Sequence, residues 1–370
     1  MDNKLLKDEI NATSVKKLAA LFTDLACEFD AMSFSELALT GLDQLSLKQR
    51  VFHIVHALKQ VLSVEYLKIT QLFDKLSENQ ERNKTLTAFE AWPLIEFIGL
   101  EGIEQPELAL PCLAKLTHLF SAEFAIRPYL EKHEALCFTF FEAWLGSKDE
   151  HIRRLISEGT RPRLPWGAQL TKYRSDPVPL EAFLRALSTD DSLYVRRSVA
   201  NNLNDIGKDN PEWLIDTCES WLARDLEPEL AKRCLWVIKH GLRSLVKLGN
   251  SKALRLLGYH GELEKAELSL SGDRVSIGAS LELVAHLLCG AEAGRFVIDY
   301  SIAFVKKNGS VSSKVFKWKN VELDPGEKLE LSKKQSFKVL STRQYYSGLH
   351  QVSLLVNGDV KAQAIFDLST

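Results

Sequence analysis

His151-Ile-Arg-Arg-Leu-Ile-Ser157 and Tyr194-Val-Arg-Arg-Ser-Val-Ala200 lie 43 residues apart, and Ala231-Lys-Arg-Cys-Leu235 follows as a looser third copy about 36 residues later. In each, an aliphatic or small residue precedes two cations, and an apolar residue follows a turn later. A helix with that layout buries one face and carries its cations along an edge. Periods near about forty residues, two helices to each, belong to HEAT-like solenoids, in which a repeat packs only on its neighbours. The helical period continues outward from these strings. Ser46 to Leu62, SLKQRVFHIVHALKQVL, sets Val51, Ile54, Val55, Leu58 and Leu62 on one face. Similar patterns cover 14–29, 64–76, 107–120, 121–132, 134–146, 148–158, 179–188, 191–206, 211–223 and 228–247. Their short connections predict antiparallel neighbours, and no alternating strand intervenes to build a parallel sheet.

After Tyr259 the texture changes. Strand-like runs appear at Leu268-Ser-Leu270, Arg295 to Val305, Lys314 to Lys319, Gln351 to Val356 and Ala364 to Leu368, separated by Ser271-Gly-Asp273, Lys307-Asn-Gly309, Asp324-Pro-Gly326 and Asn357-Gly-Asp359. Short strands at this density predict a β-sandwich of immunoglobulin type, with Tyr345 leading into a central strand. The fold expected is therefore mainly α: a HEAT-like α-solenoid over residues 1–260, then an immunoglobulin-like β-sandwich over 261–370.

The composition of the 370 residues, 45% apolar and 26% charged, is that of an ordinary globular chain and argues against wholesale disorder. No run of eighteen apolar residues is present, so no membrane span is expected, and the opening Met1 to Glu9 lacks the layout of a secretory signal. The six cysteines include no Cys-x-x-Cys pair, which speaks against structural zinc and fits reduced thiols in a cytoplasmic protein. His53 and His56 stand three apart on one helix without a third ligand or the glutamate of a zincin, so a packed or surface pair is the expectation and no metal is assigned. His240 reads as structural. Without a Walker loop or dinucleotide fingerprint, no cofactor is expected either.

The net charge of −2 conceals a division. Residues 1–110 hold 11 basic and 17 acidic groups, residues 151–260 hold 18 and 13, and residues 300–345 hold 10 and 4. Cations clustered in the later repeats and in part of the sandwich are the footprint of a polyanion, although any single charge run is also what a solvated face looks like. Between two helical patterns lies Gly159 to Pro179, GTRPRLPWGAQLTKYRSDPVP, whose four prolines block helix continuation. Arg161, Arg163, Lys172 and Arg174 face one acid, Asp176, and Trp166 and Tyr173 supply aromatic faces. Such interleaving suits contact with nucleic acid, guanidinium to phosphate and ring to sugar or base. A loop pinned to the core by Trp166 would read the same way, and the residues alone leave both open.

Three strings carry a resemblance: Ser121-Ala-Glu-Phe-Ala-Ile-Arg-Pro-Tyr129, Ile152 to Gly167 (IRRLISEGTRPRLPWG), and Val195 to Ile206 (VRRSVANNLNDI). In order and over essentially the whole chain, they resemble the DNA alkylation repair glycosylases with HEAT-like repeats, and the appended sandwich resembles the AlkC branch. The resemblance implies hydrolysis of the N-glycosidic bond of cationic methylated bases, 3-methyladenine and 3-methylcytosine among them, in duplex DNA that is gripped and kinked without the base being swung out. It implies double-stranded DNA with alkylated bases as partner, and a monomeric cytoplasmic enzyme, on the nucleoid when DNA-bound. Matching strings assign catalysis to Glu123 and Glu158, with Trp166 against the deoxyribose and Asp205 as a weaker third acid. An N3-methylated base is already cationic and leaves without protonation, so what remains is to stabilise an oxocarbenium-like sugar and place a water, as carboxylates do in glycoside hydrolysis.

Other readings of these residues stay open. Glu123 would also suit the first turn of a helix capped by Ser121. Glu158, at a helix C-terminus among arginines, is opposed by the macrodipole, yet an ordinary ion pair would also account for it. Candidate phosphate ligands are Arg127, Arg154, Arg161, Arg163, Lys172, Arg174, Arg196, Arg197, Lys232 and Arg233, with Lys306, Lys307 and Arg343 in sandwich loops that suit a minor groove. The alternatives in function are a non-catalytic DNA-binding or damage-sensing HEAT-repeat protein, and a protein-interaction scaffold. No lysine stands out as a Schiff-base nucleophile, so a monofunctional hydrolase is expected.

Overall fold

A computed structural model describes residues 5–25, 29–62, 64–339 and 344–369, with the side chains of residues 81–83 also outside the description. Among these residues, sixteen α-helices precede eight β-strands. The first six helices are α1 Ala12–Leu25, α2 Ala31–Leu39, α3 Leu47–Val61, α4 Tyr66–Asn83, α5 Ala88–Glu101 and α6 Pro106–Leu116. Then come α7 Arg127–Lys132, α8 Glu134–Trp144, α9 Glu150–Gly159, α10 Thr171–Ser175, α11 Glu181–Leu187 and α12 Leu193–Ile206. The last are α13 Pro211–Leu222, α14 Pro228–Gly241, α15 Arg243–Lys247 and α16 Ser251–Leu256. Among the described residues no helix is long and apolar enough to cross a membrane, and no group of three His, Cys, Asp or Glu residues is arranged to hold a metal ion.

Four helices lie outside the periodic pattern of the sequence, α2, α5, α10 and α16. The α5 sequence, AFEAWPLIEFIGLE, is apolar on every side because Glu90 to Gly99 are buried without a break, so no amphipathic period marks it. Its start is secured by a capping box, with the Thr87 side chain on the Glu90 amide and the Glu90 carboxylate on the Thr87 amide. Pro93 lies inside the helix, in its second turn. In the opposite direction, the helix expected at 121–132 is only α7; residues 122–126 are turns. The helix expected over 228–247 breaks at Leu242.

The chain divides into two compact units. One runs to Asn210 and includes Trp221–Gly241; the other comprises Pro211–Ser220 and Leu242 onward. In the first, the repeated strings at 151–157, 194–200 and 231–235 lie on α9, α12 and α14, which stack in that order. The α9–α12 contact is close because small polar residues meet there: Ser157 Oγ donates to Ser198 Oγ at 2.7 Å, and Asn202 Nδ2 to the Ser157 carbonyl at 2.8 Å. Glycines bring the neighbouring backbone in. A Cβ on Gly99 of α5 would stand 2.8 Å from Ala125 Cβ, and one on Gly159 2.7 Å from Ile126 Cγ2. These two approaches clamp the 117–126 turns between α5 and the end of α9.

In the second unit, β1 Leu263–Leu270, β3 Ser280–Cys289 and β6 Lys328–Ser336 form one sheet, in the order β1-β3-β6. Its companion has the order β2-β8-β7-β4-β5, from β2 Arg274–Ser276, β4 Gly294–Val305, β5 Val311–Leu323, β7 Gly348–Val356 and β8 Asp359–Ser369. Strand β7 is central, as expected, and Tyr345 just before it is buried against Phe304 and Phe337. Asn357 and Gly358 at the β7–β8 turn both have positive φ, 48° and 84°, the pair that a tight hairpin requires. Gly358 also meets Gly249, between α15 and α16: a Cβ at 358 would lie 1.7 Å from the Gly249 carbonyl oxygen. The last two helices thus belong with the sandwich.

Candidate active site

Glu158 ends α9 and Glu123 sits in the turns before α7, so the contacts at Gly99 and Gly159 bring the two carboxylates together. Both line a cavity of about 300 Å³ with Phe89, Phe120, Phe124, Arg161, Leu164, Pro165 and Trp166. Arg154 bridges the acids, with Nη2 at 3.2 Å from Glu123 Oε2 and 3.5 Å from Glu158 Oε2. Arg161 Nη1 is 2.7 Å from Glu158 Oε1, and its far edge is 2.8 Å from Asp205 Oδ2. Lys208 then holds Asp205 Oδ1 at 3.0 Å. The result is an alternating chain, Glu123–Arg154–Glu158–Arg161–Asp205–Lys208. Asp205 lies outside the cavity lining, one guanidinium away from Glu158.

Ser121 accepts from Arg154 Nη1 at 3.0 Å rather than capping a helix, and Glu123 is in no helix. The helix-cap reading of Glu123 is therefore replaced by a charge network. Burial is the largest influence on Glu123 and raises its carboxyl above the ordinary 4.5; Arg154 opposes and Glu158 adds to the rise. The folded protein then keeps a proton that the unfolded chain has released, so stability falls as pH rises from 4.5 through the raised value. Glu123→Gln removes that loss and leaves Arg154 its bond to Glu158. The variant is expected to melt a few degrees above the wild type at about pH 7, with the gain gone near about pH 4. Equal melting at both pH values would refute this.

Trp166 is 63% exposed and does not pin its loop to the core. It holds φ at +64°, a left-handed conformation that costs a non-glycine residue about 1–3 kcal/mol. The surrounding loop supplies the restraint. Arg127, 2% exposed, donates through Nη1 to the carbonyls of Gly159 at 2.8 Å and Arg161 at 3.0 Å, and through Nε to that of Ala168 at 2.7 Å. One guanidinium thus ties both ends of the segment carrying Trp166. Arg163 and Arg174 both grip Asp209, at 2.6 and 3.1 Å. Hydrogen bonds from Arg163 and then Arg174 hold the Asp209 carboxyl well below the usual range. Tyr173 is core, donating to Glu134 at 2.7 Å, and Lys172 pairs with the same carboxylate at 2.9 Å.

The cations expected at phosphate therefore divide by environment. Arg127 and Arg161 are buried, Arg127 on the carbonyls of the Trp166 loop and Arg161 between Glu158 and Asp205, so neither stands on the exposed face where phosphate contact was expected. Arg154 is spent on the glutamates and stacks 4.5 Å from the Tyr194 ring centroid. Arg196 donates to the carbonyls of Asp190 and Asp191, and Arg233 to that of Thr189. Arg197 is exposed with no partner among the described residues, Lys232 makes only an exposed pair with Glu229, and Lys306 and Lys307 project from the β4–β5 hairpin. Arg343 lies outside the described residues. The sequence reading missed the aromatic wall of Phe89, Phe120 and Phe124, although Phe124 follows Glu123 directly.

Residues 264–370 match the family described as "Uncharacterised protein YhaZ, C-terminal Ig-like domain". Over 366 residues the chain is 33% identical to the YhaZ protein of Bacillus subtilis (strain 168), covering 98% of this chain and 99% of the relative. The fold is similar to that of the Pseudomonas fluorescens alkylpurine DNA glycosylase AlkC bound to DNA containing an abasic site analog. The TM-score is 0.80 and the identity 33%, over 99% of each chain.

Proposed function

This chain belongs to the AlkC type of DNA alkylation repair glycosylases, and from that premise we propose that it excises cationic alkylated bases, of the 3-methyladenine and 3-methylcytosine class, from duplex DNA without base flipping. The observation that carries the reading is the meeting of Glu123, Glu158 and the exposed Trp166 ring in one open cavity. An exposed indole face and two carboxylates suit a sugar that becomes positive. The C1′–N bond breaks with its electron pair going to the base, which loses its charge and departs neutral. The carboxylates stabilise the sugar cation, and Glu158 or Glu123 orients a water and takes its proton as the oxygen bonds to C1′, leaving an abasic site. Asp205 acts through Arg161, holding it against Glu158. Arg197, Lys232, Lys306 and Lys307 are the open cations for phosphate, and the protein works as a cytoplasmic monomer.

Incubation with methylated duplex is the test. Free 3-methyladenine is expected, with the strand intact until alkali treatment and no adduct trapped by borohydride. Salt-sensitive binding without base release would instead make the protein a damage sensor. DNA affinity no greater than that of a neutral control would leave an interaction scaffold.

A further inference from the structure

Trp166 has little packing of its own, so its position is set by its backbone. Its carbonyl takes no backbone donor among the described residues. What it accepts is the ammonium of Lys48, on α3, 118 residues away in the chain. Lys48 belongs to the acidic N-terminal helices, whose sequence leaves open whether they touch DNA or only close the array. The same ammonium lies 5.4 Å from the centroid of the Phe124 ring, which lines the proposed catalytic cavity. Phe124 stacks on Trp92 at 5.5 Å, and Trp92 Nε1 donates to Glu96 Oε1 at 2.8 Å. Glu96 is 7% exposed, and burial raises its carboxyl above the ordinary range, with the Trp92 hydrogen bond and then Lys48 opposing the rise. All of these groups line a second cavity of about 470 Å³, on the α3–α5 side of Trp166.

From this arrangement we propose that Lys48 is a positioning residue for base excision: it latches the Trp166 carbonyl from behind the reaction face while resting over the Phe124 ring. The N-terminal helices would then act on the chemistry without touching DNA. Arg127 fixes the ends of the loop at Gly159, Arg161 and Ala168, while Lys48 holds the residue at its tip.

The proposal rests on Trp166 serving in base release, so the test has one arm without DNA. Lys48→Met and Lys48→Arg are made in the full chain and compared by hydrogen exchange across residues 163–170. In Lys48→Met that segment is expected to exchange at least about fivefold faster, with the sandwich unchanged and Lys48→Arg close to wild type. Single-turnover base release by Lys48→Met should fall about 10-fold to 100-fold, while affinity for abasic duplex stays within about twofold. Unchanged loop exchange in Lys48→Met overturns the latch. So does a loss of DNA affinity large enough to account for the slower release, because Lys48 would then be a phosphate contact. Faster loop exchange in a protein whose wild type releases no base would keep the latch and remove the glycosylase reading.

Discussion

Glu158→Gln is expected to slow base release from 3-methyladenine duplex by about 100-fold to 1,000-fold, a loss of about 2.7–4 kcal/mol of transition-state stabilisation. Glutamine keeps the shape of the side chain and an oxygen for Arg161, which stands 2.7 Å from Glu158 Oε1 and retains Asp205. What it removes is the negative charge beside the developing sugar cation. The alternating chain of three acids and three cations then gains a net positive charge, so affinity for the DNA polyanion should hold or tighten. This opposition separates chemistry from binding: a catalytic carboxylate loses rate at constant or improved affinity, whereas a residue that only braces Arg161 would lose both. Full activity in Glu158→Gln would end the catalytic assignment. Glu123→Gln should also slow release, while stabilising the fold.

Arg127→Met carries the largest expected effect on stability, about 3 kcal/mol or more, equivalent to a melting temperature lower by about 10 °C. Its guanidinium is buried, and burial followed by the nearby Arg161 pulls its pKa down to about 10, so it stays protonated at neutral pH. Methionine fills much of the volume but leaves the carbonyls of Gly159, Arg161 and Ala168 without a donor. Arg127→Lys should fare little better, because one ammonium cannot reach carbonyls held by opposite edges of a planar fork. A phosphate ligand behaves differently: its loss would lower the salt dependence of DNA binding and leave the melt unchanged. An unaltered melting temperature in Arg127→Met would therefore return this residue to the DNA-binding surface.

The contrast between Arg127 and Arg197 shows how far local sequence reaches. Both read as phosphate ligands, yet one is sealed inside by the approach of α9 and the Trp166 loop, and the other is open on α12. Likewise Trp166 and Tyr173 read as equivalent aromatics in one loop; packing against Glu134 buries the tyrosine and leaves the indole out. Helix α5 had no amphipathic signature because the fold surrounds it.

The sequence by itself determined the helical array, the change to a sandwich after Tyr259, the separation of acidic from basic segments, and the strings that hold Glu123, Glu158 and Trp166. Those features are legible because apolar period, turn residues and charge are properties of neighbours along the chain. Only the tertiary structure decided which cations are spent inside, that Asp205 reaches Glu158 through Arg161, and that Lys48 meets the Trp166 carbonyl. Each of those joins residues far apart in sequence, and such pairings exist only once packing has excluded water and left a buried charge or carbonyl in need of a partner.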